Sequence, residues 1–293
     1  MKTKKLFFIV LCILALYAFG HTCIIEFKGH IATEVTAKSN RFLVIAHRAS
    51  SPDAPENTLA AIQQSLALGV DACEIDVRCT KDSRVILMHD GDVSRTTNGK
   101  GEVARMTFAE LRSLDAGKWK SPKYAGQTVP SIEEVIELLQ GTGVAVIDIK
   151  DIAAVEKITT IARNNPLANI IIQSDDRDIL KLADSLNKQV LLSWVCKDFP
   201  FTAITPARKA KWLIKNASGP KIDIVNIHYT LLSPEIINRL HERHISVWAW
   251  TVNHPEIANY LMNWGIDGII SDNPAEIKII RDTIGERATL NQK

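Results

Sequence analysis

From residue 42 onward the chain alternates short β-branched or apolar runs with polar turns and helical patterns. The runs are 42–46, 72–77, 144–149, 170–173, 190–195, 224–227, 246–250 and 268–271, eight in all. Between them, apolar positions recur at helical spacing over 59–68, 132–139, 153–164, 177–186, 234–242 and 255–264. Eight alternating β and α units in roughly 250 residues predict an α/β fold, a (β/α)8 TIM barrel. The competing architecture, a doubly wound open sheet, usually has a glycine-rich phosphate turn after its first strand, and none is present. One gap breaks the rhythm: about fifty residues separate the second run from Ser131, too many for an ordinary βα loop. They hold a strand-like piece at 84–88, then His89-Asp90-Gly91 and a polar, glycine-containing stretch. A small insertion after the second strand, about 84–130, is therefore expected to roof the barrel mouth, where such barrels carry their chemistry. The barrel is assigned to 42–281, with a frayed polar tail after Arg281.

The first residues follow a different logic. Lys2, Lys4 and Lys5 precede an uncharged apolar run over 6–20, and Ala18-Phe19-Gly20 offers a small-x-small cleavage site. Extended to Ile25, the same run approaches the length of a membrane span, so residues 1–25 read as a signal peptide or a single-pass anchor. Either way the positive-inside rule places the barrel outside the cytoplasm, as a secreted, periplasmic or membrane-anchored protein.

Composition narrows the partners. With 293 residues, 46% of them hydrophobic, the chain can bury a large core, and its net charge of +2 argues against nucleic-acid binding. The five cysteines show no zinc-ligand spacing. Cys73 and Cys79 flank one expected strand and lie too far apart to bridge. Free or buried thiols are expected.

Three strand ends present ionisable groups: His47 and Arg48 after the first, Glu74 and Asp76 in the second, Asp148 and Lys150 after the third. Residues two apart share one strand face, so Glu74 joins Asp76, and Asp148 joins Lys150, on the side that points into a barrel, while Ile75 and Ile149 face the helices. Three carboxylates converging with two fixed cations match a hard divalent ion, Mg2+ or Ca2+; the alternative is a buried salt-bridge cluster of Glu74 and Asp76 with Arg78 or Lys150. His89 opens the insert. Two histidines suit a reaction that needs an acid and a base, and a divalent ion with Arg48 and Lys150 suits a phosphodiester, whose transition state spreads negative charge over non-bridging oxygens.

The runs AHRASSPDAPENTLAA, GVDACEIDVRCTKDSRVILMHDGDVSRTTNGKGEV, VPSIEEV, IDIK, VWAWTVN and GIDGIISDNP, in this order over 42–274, resemble the glycerophosphodiester phosphodiesterase family. The resemblance implies a TIM barrel with an insert after the second strand, a divalent metal, and hydrolysis of glycerophosphodiesters to sn-glycerol 3-phosphate and an alcohol. It implies His47 and His89 as the acid/base pair, Glu74 and Asp76 as metal ligands, Arg48 as a phosphate contact and Lys150 as a further site cation. Attack by water, or by a hydroxyl of the substrate's own glycerol through a cyclic phosphate, both remain open. Two positions depart from the family pattern. Ala49 stands where the pattern has glycine, and Asp148 stands where it has glutamate; Asp148 is still expected to be a ligand. A lysophospholipase D acting on lysophospholipids is the neighbouring alternative, and a catalytically silent barrel that binds a phosphorylated ligand is the alternative of another class.

Three weaker features complete the reading. Glu56, Asn57 and Thr58 are expected to tie down the first βα loop or cap the next helix. Trp250, which shares a strand face with Trp248, is a candidate to line the pocket against a glycerol or acyl group, with core packing preferred. The basic segment 206–215 reads as a solvated helix, with contact to an anionic membrane surface as the alternative.

Overall fold

The computed structural model describes residues 42–49, 52–165 and 169–290, with side chains to 283. The proposed signal or anchor segment, with Cys12 and Cys23, lies outside the described residues. In chain order the elements are β1 (Leu43–Ala46), α1 (Leu59–Leu68), β2 (Ala72–Cys79), β3 (Val85–Leu87), α2 (Phe108–Arg112), α3 (Ile132–Leu139), β4 (Val144–Ile149), α4 (Val155–Asn164) and β5 (Ile170–Ser174). They continue with α5 (Arg177–Leu186), β6 (Leu191–Cys196), α6 (Pro206–Ala217), β7 (Ile224–His228), α7 (Pro234–His241), β8 (Ser246–Trp250), α8 (Pro255–Asn263), β9 (Gly268–Ser271) and α9 (Pro274–Leu290).

Parallel pairing runs β1-β9-β8-β7-β6-β5-β4-β2, and β1 pairs with β2 to close the ring. The structure is thus a (β/α)8 barrel, and the open-sheet alternative is excluded. The expected strand-like piece in the insert is real: β3 turns back antiparallel on the end of β2, pairing Val77 with Leu87 and Cys79 with Val85. The insert has a small core of its own, built on Ile86, Met88, Val93, Val103, Leu111, Ala116 and Val129. At Gly117 an added Cβ would lie 1.9 Å from the Tyr124 carbonyl oxygen, so only glycine lets those two stretches of insert backbone approach. The frayed tail expected after Arg281 is not seen. No proline interrupts 281–290, and α9 continues to Leu290.

Strand alternation divides the side chains between two cores. Val44, Cys73, Ile75, Ile147, Ile149 and Val225 pack outward against the helices, while Leu43, Ile45, Ala72, Val146, Ile171, Ile224, Trp248 and Ile270 fill the barrel interior. Toward the strands' C-terminal ends the interior changes character. Glu74 and Asp76 follow Ala72 on β2, Asp148 follows Val146 on β4, Gln173 follows Ile171 on β5, and Asn226 follows Ile224 on β7, all of them buried. The apolar lower layer seals the barrel and the upper layer is polar, which places the site at the C-terminal mouth. Residues Arg41–Lys293 form one compact unit, and among the described residues both cores lie within it. Cys73, Cys79 and Cys196 are free.

The opposite face is closed by aspartates one residue ahead of three strands. Asp71 accepts the Val44 N–H at 2.7 Å, Asp223 the Leu192 N–H at 3.0 Å, and Asp267 the Val247 N–H at 2.7 Å, each satisfying a donor near the start of the neighbouring strand. Asp267 also meets His241 Nε2 at 2.7 Å, and this hydrogen bond outweighs burial to raise the imidazole above its ordinary 6.5. Folding therefore favours protonated His241. The contribution is complete below the unfolded value and lost as pH rises through the folded one. His241→Gln should cost about 0.5 kcal/mol at acidic pH and nothing at alkaline pH, because the pair is partly solvated; urea unfolding at the two pH values checks it.

Candidate active site

The first βα loop begins immediately after β1. His47, Arg48 and Ala49 make one tight turn in which Arg48 and Ala49 both have left-handed backbone, φ 54° and φ 51°. Ala49 thus adopts the conformation for which glycine is the usual residue, at a cost of about 1 kcal/mol. The turn points the Arg48 N–H at Glu74 Oε2, 2.7 Å away. Asn57, also left-handed at φ 55°, clasps Asp76 from both ends: its Nδ2 donates to Asp76 Oδ2 at 2.9 Å, and its Oδ1 accepts the Asp76 N–H at 3.0 Å. Thr58 caps α1 by accepting the Ala61 N–H, so the capping role falls to Thr58 and the site contact to Asn57.

Glu74, Asp76 and Asp148 converge, with one oxygen of each lying within 4.8 Å of the others. Direct pairing of Asp76 with Asp148 across β2 and β4 sets this spacing. Lys150 Nζ lies 3.0 Å from Asp76 and 2.8 Å from Asp148, whereas Arg78 turns away to Asp151 and to the His89 carbonyl oxygen. Of the two salt-bridge partners weighed for the acidic cluster, Lys150 is in place and Arg78 is not. Lys150 is shared between Asp76 and Asp148, and Arg48 Nε lies 3.8 Å from Asp76 Oδ2, so the three buried carboxyl groups compete for two cations. Burial, then Asp76, pushes the Glu74 carboxyl up to about 8, and burial also raises Asp148; Asp76 is held below its ordinary range because Lys150, His89, Asn57 and Arg48 outweigh its burial. Asp148 Oδ1 is buried with no hydrogen-bond partner. An all-oxygen cluster, short of positive charge and with an orphaned acceptor, fits a hard divalent cation, and the shorter Asp148 side chain still reaches it.

Both histidines carry a carboxylate on Nδ1. His47 meets Asp272 at 2.6 Å, and His89 meets Asp90 at 2.6 Å. Burial opposes protonation of His47, but Asp272 and Glu74 prevail and raise it. Asp272, at the end of β9, is held in turn by Asn253 Nδ2 at 2.8 Å. Asp90 is held down to about 2 by Arg95 and His89, against burial. Arg95 also makes two bonds of 2.8 Å to Glu56, and Glu56 accepts Arg48 Nη1 at 2.8 Å. A chain of charges therefore runs from Arg48 through Glu56, Arg95 and Asp90 to His89, joining the first loop to the insert. Trp250 lies inside the barrel above Trp248, edge-on to His228 at 5.3 Å, half-buried and with its indole N–H unpartnered.

All the sequence candidates thus gather at one mouth. Sequence reasoning missed Asp272, Asp90 and Arg95; Asn57 and Thr58 do what was expected of them, Asn57 tying down the first βα loop and Thr58 capping the next helix, with the Asn57 grip on Asp76 as the unforeseen part. The signals for the two aspartates were an acid directly after His89 and an acid closing the last strand.

Residues 47–276 match the family described as the Glycerophosphoryl diester phosphodiesterase family. The glycerophosphodiester phosphodiesterase of Caldanaerobacter subterraneus subsp. tengcongensis is 33% identical over 245 residues, which are 79% of this chain and 94% of that protein. That of Bacillus subtilis is 27% identical over 257 residues, 80% of this chain and 85% of its own. A phosphodiesterase of Oleispira antarctica, solved in complex with the product sn-glycerol-3-phosphate, is similar in structure with a TM-score of 0.73 at 27% identity, covering 83% of this chain and 97% of that one.

Because Glu74 binds its proton more tightly in the folded protein than at the ordinary 4.5, its contribution to stability is complete below that value and lost as pH climbs toward about 8. Depressed Asp76 contributes stability that is fully present above its ordinary 3.8 and is lost only as pH falls below it, so it is constant across this window. In chelator, the melting temperature should fall between about pH 5 and about pH 8, and Glu74→Gln should flatten that fall. Added Mg2+ or Ca2+ should restore stability at the higher pH far more than at the lower. Calorimetry across the range checks all three.

Proposed function

The chain belongs to the glycerophosphoryl diester phosphodiesterase family, and from that premise we propose that it hydrolyses glycerophosphodiesters to sn-glycerol 3-phosphate and an alcohol by histidine acid-base catalysis at the mouth described above. The observation that carries this reading is the conjunction of two carboxylate-supported histidines with the Glu74, Asp76 and Asp148 triad. Glu74, Asp76 and Asp148 are the residues that would hold a divalent ion, Mg2+ or Ca2+; when bound, it supplies positive charge to the phosphate oxygens.

The chain's own groups do the rest. Asp272 and Asp90 fix the two imidazoles through Nδ1, which directs proton transfer to Nε2 of each ring. One histidine takes the proton from the attacking hydroxyl, and the other gives one to the leaving alcohol oxygen. His47, raised by Asp272 and Glu74 against its burial, is held toward the protonated form that the acid role needs. Arg48 and Lys150 stand as fixed cations beside the triad, where they can meet the non-bridging oxygens as charge builds. Trp250 offers an apolar wall inside the barrel for the carbon skeleton of the glycerol. Export by the N-terminal segment would place this activity outside the cytoplasm, on substrates released from lipids.

Turnover of glycerophosphocholine and lysophosphatidylcholine, with Mg2+, Ca2+ or chelator, tests the reading. Metal-dependent release of choline from glycerophosphocholine is expected, with a loss of about a hundredfold or more in kcat for His47→Ala and for His89→Ala. Asp272→Asn and Asp90→Asn should each lower kcat by about tenfold or more with KM little changed, because they hold the rings and touch no substrate. A well-folded protein that turns over neither compound with any metal would sink the proposal in favour of a silent binding barrel. Preference for lysophosphatidylcholine would instead assign the lysophospholipase D reaction to the same site.

A further inference from the structure

Phe201 is 94% exposed and Ile204 71%, the highest values of any large apolar side chain among the described residues. Both lie in the loop from β6 to α6, on the barrel face that carries Asp148 and Glu74. A single exposed phenylalanine needs no explanation. The charge around this one does. Between Lys197 and Lys215 the sequence carries five basic residues against one carboxylate, Asp198; Lys197 is paired with Asp175, which leaves Arg208, Lys209, Lys211 and Lys215 on the helix that follows the loop. The whole chain has a net charge of only +2, so this is a local concentration of positive charge.

The loop is braced from within. The Phe199 ring packs edge-on against Trp212 at 5.7 Å, Trp212 meets Trp194 at 5.5 Å, and the Lys209 ammonium lies 5.0 Å from the Phe199 ring. Thr205 caps α6 by accepting the Arg208 N–H. Phe199 is thus the inward anchor, and Phe201, two residues on, projects into solvent. In the insert, Trp119 is 40% exposed, its indole N–H tied to the Ala116 carbonyl oxygen at 2.9 Å, and its sequence neighbours Lys118 and Lys120 are exposed.

An apolar tip with a basic collar is the chemistry of interfacial anchoring: the tip enters the boundary between headgroups and acyl chains, and the cations meet anionic headgroups. A second copy of the chain would set like charges against one another, which disfavours self-association through this loop. We infer that the β6–α6 loop, with Phe201 and Ile204 at its tip and Arg208, Lys209 and Lys211 behind them, docks the barrel mouth onto an anionic lipid surface. The docking stands apart from the reaction proposed above and needs no part of it.

The test uses residues 41–293, the unit that has its own core, and co-sedimentation with vesicles of phosphatidylcholine alone or with about 30% phosphatidylglycerol. The unit is expected to bind the anionic vesicles, with partitioning about tenfold lower on neutral vesicles or when salt is raised from about 0.1 M to about 0.5 M. The double variant Phe201→Ser/Ile204→Ser should lower partitioning about tenfold or more, and Lys209→Glu/Lys211→Glu should abolish the preference for anionic vesicles. Both variants should keep the parent melting temperature and the parent turnover of soluble glycerophosphocholine. Absence of binding to anionic vesicles, or equal sedimentation of the parent and Phe201→Ser/Ile204→Ser, overturns the inference. So does concentration-dependent self-association that disappears in that variant, which would give the loop to a second copy. Turnover read in the same samples separates a failure of docking from a failure of the proposed reaction.

Discussion

Three buried carboxyl groups crowded around Lys150, with Arg48 Nε 3.8 Å from Asp76, are the constraint on which the rest of this structure depends. Glu74, Asp76 and Asp148 are each almost fully buried, and Lys150 reaches two of them. Unbalanced charge of this kind is tolerated inside a protein only where further donors and cations can be brought to it. The barrel supplies them by geometry. The registered pairing of β2 with β4 sets Asp76 beside Asp148, the first βα loop turns a backbone N–H onto Glu74, and Asn57 grips Asp76 by side chain and backbone together. The apolar layer beneath, from Leu43 to Ile270, makes this arrangement rigid without taking part in it.

Glu56 extends the same electrostatics sideways. Its carboxylate accepts bonds from both Arg48 and Arg95, and these pull it below its ordinary range although it is partly buried. Arg95 belongs to the insert and Arg48 to the first loop, so the insert is fastened to the barrel mouth by a shared carboxylate as well as by β3. The two histidines are supported separately: His89 by Asp90, which Arg95 holds at the insert end of this chain of charges, and His47 by Asp272 at the end of the last strand. A change at Arg95 or Asp90 therefore reaches the His89 ring through contacts of charge as well as through packing.

The parts of this architecture that follow a local rule were legible in the sequence. Period-two alternation put Glu74 and Asp76 on one face of β2 with Ile75 on the other, and the spacing of the runs gave the barrel and its insert. What escaped were contacts between residues far apart in the chain or bent out of the regular pattern. His47 and Asp272 are 225 residues apart, and Arg95 and Glu56 are 39 apart; no periodicity links them. Asn57 and Thr58 were read as tying down the loop or capping α1, and both happen, but the left-handed backbone that turns the Asn57 amide onto Asp76 leaves no trace in the local pattern. The tail was read as frayed from its polarity, but polarity alone does not end a helix that lacks a proline.

The same contrast explains why the two departures from the family pattern leave the geometry intact. Left-handed backbone at Ala49, Arg48 and Asn57 costs on the order of 1 kcal/mol at each residue, and one short loop carries all three. Such a loop persists only if something opposes the strain. Here the opposition is the buried charge itself. Glu74 gains the Arg48 N–H and Asp76 gains the Asn57 amide, each a hydrogen bond to a carboxylate taken out of water, where such bonds are at their strongest. The strain in the loop and the unbalanced charge in the barrel offset one another. Glycine at position 49 would relax one of the three left-handed residues, and a carboxylate one methylene shorter at 148 still joins the cluster because the strand pairing has brought it alongside Asp76.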